Sequence, residues 1–148
     1  MTQEDKELLL KDLSARLSYG VKVAFFNEDL TYHSEPKTLT GIECINNLSY
    51  SRLEDEDGNT TIVEFVKPYL FLLSNMTEEQ WNNAPRANLT DFTFESLRCG
   101  CFTLASYTCE NNLYDLVEFI NWLIKNHFDI YGLIPKGLAI DATGLNIY

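Results

Sequence analysis

The sequence predicts an α+β fold: an antiparallel β-sheet of about four to six strands packed by an N-terminal and a C-terminal amphipathic helix. Three observations carry that expectation. The stretch NNLYDLVEFINWLIKNHFDIY (Asn111–Tyr131) places Leu113, Leu116, Val117, Ile120, Leu123, Ile124 and Phe128 at spacings of three and four, which is one face of a helix. Near the other end Leu8, Leu9, Leu13 and Leu17 repeat that spacing. Between them, from Val21 to about residue 73, segments rich in Val, Ile, Thr, Tyr and Phe read as strands. The 148 residues suit a single domain, 1–148, long enough to bury its own core.

The first helix is expected over about residues 3–18. Thr2 is the cap candidate, Glu4 and Asp5 suit the positive end of the helix dipole, and Gly20 is the stop. In this reading Lys6, Lys11, Asp12 and Arg16 lie outside. Val21–Phe26, a turn at Asn27-Glu28-Asp29, and Leu30–Glu35 form a hairpin whose pairing Pro36 interrupts. TLTGIECI (38–45) and NLSYSRL (47–53) add strands. Glu54-Asp55-Glu56-Asp57-Gly58-Asn59 is a polar turn with its acidic tip facing water, and Thr60–Val66 runs back.

Pro68 cannot donate to a ladder, so Lys67-Pro68 ends one strand or starts another at an edge. Tyr69–Leu73 is apolar enough for burial on both faces. Thr77-Glu78-Glu79-Gln80 is a capping box opening a short helix that Pro85 and Asn88 close. Residues 87–109 show no clean period and receive no assignment. In the main helix, Glu110, Asp115 and Glu118 load the start, and Lys125 and His127 sit in the last turn. Trp81 and Trp122 read as core. Asp129–Gly137 is a turn, and Leu138–Ala142 and Gly144–Tyr148 tuck against the sheet.

With 22 acidic against 11 basic residues, the net charge of −11 argues against a nucleic-acid binder. The charges are spread along the chain, as solubility requires, and their sharper reading is an acidic face that docks on a basic protein partner. No run approaches the roughly 18 apolar residues of a membrane span. The start MTQEDKELLLKD lacks a basic region followed by an apolar core, so the expected setting is cytoplasmic.

The residues that could carry chemistry have no supporting context. Cys44, Cys99, Cys101 and Cys109 read as reduced thiols, and the Cys99–Cys101 pair supplies only half of a zinc site. Around Gly58 the calcium-loop positions fall on Leu53, Asp55, Asp57 and Glu64, and Leu53 cannot ligate. Neither G-x-G-x-x-G nor G-x-x-x-x-G-K-[ST] occurs. His33 reads as a strand residue and His127 as a helix-terminal one. No catalytic residue, metal or cofactor is therefore expected.

Three stretches carry a likeness to other proteins: ELLLKDLSARLSYGVKV (Glu7–Val23), VKPYLFLLSNMTEEQ (Val66–Gln80) and INWLIKNHFDIYGLIPKGLAIDA (Ile120–Ala142). The chain resembles the small uncharacterised proteins carried by phages and integrated mobile elements of gut anaerobic bacteria, with phrases of the form LLKDLxARLPYGV, KPYLRPLSSMTEEE and WLNxHHFDYRGLIxKGLALEA. It departs from them at Ser18, Phe71, Ile130 and Tyr131, where that family has Pro, Arg, Tyr and Arg. The resemblance implies a compact α+β domain and a mobile-element setting, and no activity or catalytic residue.

Three functions fit. The first is a non-catalytic protein-binding or regulatory protein. The second is an acidic mimic of nucleic acid that inhibits a host DNA- or RNA-binding protein, for which Glu28, Asp29, Glu54, Asp55, Glu56 and Asp57 are the candidate surface. The third is a small enzyme or ligand-binding domain, with a pocket holding His33 or a cysteine beside carboxylates.

Overall fold

A computed structural model describes residues 1–29, 34–45, 50–85, 93–98 and 113–148. Helices and a mixed six-stranded sheet make this an α+β protein. Two compact units divide the chain: Met1–Leu70 with Tyr131–Tyr148, and Phe71–Ile130.

The first unit holds helix α1 (Gln3–Arg16) and six strands: β1 (Lys22–Phe25), β2 (Lys37–Ile45), β3 (Tyr50–Asp55), β4 (Thr60–Ile62), β5 (Val66–Leu70) and β6 (Ile140–Asp141). Their order is β4-β3-β2-β1-β5-β6, antiparallel except for the parallel β5–β6 pair at the edge. Helix α1 starts as its sequence dictates. Asp5 N–H donates to Thr2 Oγ1 at 3.1 Å, and Thr2 N–H donates back to the Asp5 carboxylate at 3.2 Å. Gly20, at φ 68°, closes the single turn that follows it. Leu9, Leu10 and Leu13 bury against Val21, Val23, Leu39, Leu53 and Leu70, each worth about 1.5–3 kcal/mol of transfer free energy.

Two charges expected outside are inside. Asp12 and Arg16 are both 0 % exposed, and Arg16 Nε and its terminal nitrogen each donate to an Asp12 carboxylate oxygen at 2.8 Å. They fall on the helical stripe Leu9-Asp12-Leu13-Arg16, so the period that buries the leucines buries the pair. A forked guanidinium facing a carboxylate one turn earlier is the geometry that makes burial of two charges tolerable.

The strands also differ from the expected pairing. Strand β1 pairs with β2 at Lys22 and Val23, and at its other end Ser34 N–H donates to Phe25 C=O at 2.8 Å; the rest of the expected second hairpin strand, Leu30–His33, lies outside the described residues. Thr60–Val66 is not one strand, because a single helical turn at Val63–Phe65 separates β4 from β5. Strand β5 lies between β1 and β6, but β6 pairs only with Tyr69 and Leu70, so Pro68, opposite Val23, has a strand partner on one side alone.

The second unit holds α2 (Glu78–Asn83), α3 (Phe94–Arg98) and α4 (Leu113–Lys125). The Thr77–Gln80 box caps α2 as its sequence requires, with bonds of 3.1 and 2.9 Å. Helix α4 turns its face toward Phe119, which is fully buried, while Val117 of the expected stripe is 46 % exposed. Within this unit that face meets Met76, Trp81, Leu97 and Phe128. Phe119 stacks on Trp122 and meets the Trp81 ring edge-on, at centroid distances of 6.4 and 6.0 Å.

The end of α4 is a Schellman motif. Phe128 N–H donates to Leu123 C=O at 3.0 Å and His127 N–H to Ile124 C=O at 3.1 Å. His127 occupies the left-handed position at φ 60° and is buried, so it is the residue that ends the helix rather than one of its last turn.

Candidate functional site

The site follows from how β1 and β5 pair. Phe26 N–H donates to Phe65 C=O at 2.7 Å, and the register then runs Phe25–Val66, Ala24–Lys67 and Val23–Pro68. Hydrogen-bonded pairs alternate along an antiparallel ladder. Counting from Phe26–Phe65, the bonded pairs are Ala24–Lys67 and next Lys22–Tyr69. Pro68 thus falls on a non-bonded rung, where the ladder to β1 does not call on its missing N–H.

At Lys22–Tyr69 the bond between strands is replaced by a side chain. The Tyr148 hydroxyl donates to Tyr69 C=O at 2.7 Å and accepts from Lys22 N–H at 3.1 Å. One phenol stands in for a backbone rung across a separation of 126 residues from Lys22. Its ring is 44 % exposed, but burial around the hydroxyl pushes Tyr148 up to about 12. Burial, then the charge of Glu35, raises Tyr69 as well. Both phenols therefore stay protonated, and able to donate, well beyond neutral pH.

Beside this rung lies a cleft of about 690 Å³, lined by Lys22, Glu35, Pro36, Tyr69, Leu145 and Ile147 among others. The Lys22 ammonium is anchored by Thr38 Oγ1 at 2.6 Å and lies 3.7 Å from Glu56. Pro36, Leu145 and Ile147 supply apolar wall, and Glu35 an exposed carboxylate at the rim. Chemically the cleft offers one cation, one anion, a phenol and an apolar wall.

The acids expected to form a surface fall into two places. Glu28 and Asp29 are exposed in the turn after the Phe25 end of β1, whereas Glu56 reaches Lys22 at the other end of that strand. Asp55 is 2 % exposed and serves the turn, accepting from Asp57 N–H and Asn59 N–H at 2.9 Å each. Glu56 accepts from Thr38 N–H at 3.1 Å, and Asp57 pairs with Lys37 at 2.6 Å. Glu54 lies over Gly41 on the rim of a smaller depression of about 340 Å³. Three of the four tip acids are thus engaged with their own turn or with β1 and β2.

His33, Cys99, Cys101 and Cys109 lie outside the described residues. Cys44 is exposed on β2. Among the described residues no three His, Cys, Asp or Glu side chains gather as metal ligands, and no helix is long and apolar enough to cross a membrane. Sequence reasoning missed Lys22, Tyr69 and Tyr148 as a group. Pro68 fixes the parity of the β1–β5 ladder, but nothing near Tyr148 in sequence points to Lys22 or Tyr69. No family model, no curated protein and no solved structure matches the chain.

Proposed function

We propose that this chain is a non-catalytic protein-binding module that engages its partner at the open end of the β1–β5 ladder. The observation that carries this reading is the Tyr148-bridged rung with its 690 Å³ cleft. A cleft with a cation, a carboxylate and apolar walls beside a strand end suits an extended segment of another protein. The phage or mobile-element setting implied by the three sequence phrases belongs to the same proposal. The placement of the acids favours this reading over nucleic-acid mimicry, since the two acidic turns sit at opposite ends of β1 and Asp55 is buried.

The test is affinity capture from host lysate at low and high salt, with wild type beside Glu35→Lys and Leu145→Asp. Both residues are exposed, so both substitutions should leave the fold intact. A partner held by wild type and lost with both variants is the expected result. A partner indifferent to both, or none at either salt, overturns the proposal. Capture lost instead on neutralising Glu28 and Asp29 would favour the acidic mimic.

A further inference from the structure

We infer that the cleft beside the β1–β5 ladder takes a lysine or arginine side chain from an extended segment of its partner, with Glu35 as the counter-ion. This rests on the binding reading above and names the partner's chemistry. The charges that line the cleft are one cation and one anion, Lys22 and Glu35, and they are not equally available. The Lys22 ammonium is committed to its own sheet, donating to Thr38 Oγ1 at 2.6 Å with the Glu56 carboxylate 3.7 Å away. Glu35 is exposed and makes no ion pair among the described residues. The charge left to meet a ligand is therefore negative.

The rest of the lining suits the rest of such a side chain. Pro36, Leu145 and Ile147 offer apolar surface to its aliphatic stem, while its charged head stays at the wet rim where Glu35 lies. Burial, then the charge of Glu35, raises Tyr69, so that wall of the cleft stays neutral and no second anion competes for the head. An acidic ligand would meet Glu35 unscreened and would have to draw Lys22 away from Glu56. A purely apolar ligand would desolvate the Glu35 carboxylate and give it no partner. The whole chain works in the same direction, since its net charge of −11 steers cationic segments toward it.

The experiment titrates the full chain with acetyl-Ala-Lys-Ala-amide, with its norleucine counterpart, which keeps the stem without the charge, and with its glutamate counterpart. Backbone amides are followed by NMR. At low salt the lysine peptide should bind about threefold to fivefold more tightly than the norleucine one. It should shift the signals of Lys22, Glu35 and Tyr69 and leave those of Glu28 and Asp29 in place. High salt should remove most of that preference in the wild-type chain, which tests the point without any substitution. Glu35→Gln should abolish the preference, and Glu35→Lys should reverse it in favour of the glutamate peptide. Equal binding of the lysine and norleucine peptides, binding of neither, a preference that survives Glu35→Gln, or shifts centred on Glu28 and Asp29 overturns the inference. If the preference is absent while Leu145→Asp still abolishes partner capture, the basic occupant falls and the binding reading stands. If the preference is present while a captured partner ignores both Leu145→Asp and Glu35→Lys, the cation-selective cleft stands and the protein-binding reading falls.

Discussion

The two units cover an amphipathic helix by different chemistry. In the first, α1 presents Leu9, Asp12, Leu13 and Arg16 to the interior, so a bidentate ion pair sits among aliphatic side chains. In the second, α4 presents Phe119 and Leu123 to a cluster of rings. An ion pair tolerates burial only while both partners are in place, because the loss of one strands the other charge. Aromatic packing degrades in proportion to the area and contacts removed. One core should therefore fail abruptly and the other gradually.

The largest effect expected from this contrast is that of Arg16→Ala, which takes the forked guanidinium from the buried Asp12 carboxylate and should cost about 3–5 kcal/mol. The double change Asp12→Leu with Arg16→Met removes both charges and should recover most of that loss. The chain supplies its own reporter for each unit. Both tryptophans, Trp81 and Trp122, belong to residues 71–130, so their fluorescence follows the second unit, whereas far-UV circular dichroism sees the sheet as well. Guanidinium unfolding of Arg16→Ala should lower the dichroism midpoint more than the fluorescence midpoint. Coincident shifts would show that the units unfold as one.

In the aromatic core a graded response is expected. Phe119→Leu keeps most of the volume but loses the ring contacts to Trp81 and Trp122, for a cost of about 2 kcal/mol. Val117→Ala, on the exposed side of the same helix, should change stability by less than about 0.5 kcal/mol. The reverse ranking would mean that the face of α4 has been read wrongly.

A smaller effect tests the end of α4. A left-handed backbone favours glycine, so His127→Gly should be more stable than His127→Ala by about 1 kcal/mol, although glycine fills less space. The opposite order, measured by thermal melting followed through tryptophan fluorescence, would place the value of His127 in its side chain rather than its backbone.

What the sequence made legible was local. The boxes Thr2–Asp5 and Thr77–Gln80, the stop at Gly20 and the period of α4 depend on residues within a turn or two of each other. Asp12 and Arg16 were misplaced because charge was weighed over period: their spacing from Leu9 and Leu13 already put them on the buried stripe. Val117 was exchanged for Phe119 because two adjacent faces of α4 are both apolar, and only the surrounding rings decide between them. The rung at Lys22–Tyr69 was out of reach, since nothing near Tyr148 in sequence signals a partner more than a hundred residues earlier. The partners of the acidic tip were out of reach for a related reason, as Lys22, Lys37 and Thr38 come from other strands.

Those partners give the smallest and most specific prediction. Hydrogen bonds from Thr38, side chain first and then backbone, hold Glu56 below its ordinary 4.5, and those from Thr2 hold Asp5 below its ordinary 3.8. A carboxylate whose pKa is lower folded than unfolded contributes stability that is complete above its unfolded value and is lost as pH falls through its folded one. Glu56 is exposed and Asp5 half-exposed, so each contributes little and salt weakens it. Acidification below about 4.5 should erode the first unit before the second, seen as a fall in the dichroism midpoint ahead of the tryptophan midpoint. Glu56→Gln with Asp5→Asn should flatten that fall without altering the tryptophan transition, because both residues act within the unit that contains no tryptophan. Should the double variant keep the wild-type acid profile, Glu56 and Asp5 do not carry the acid sensitivity of the first unit, and their hydrogen bonds to Thr38 and Thr2 position the chain without stabilising it measurably.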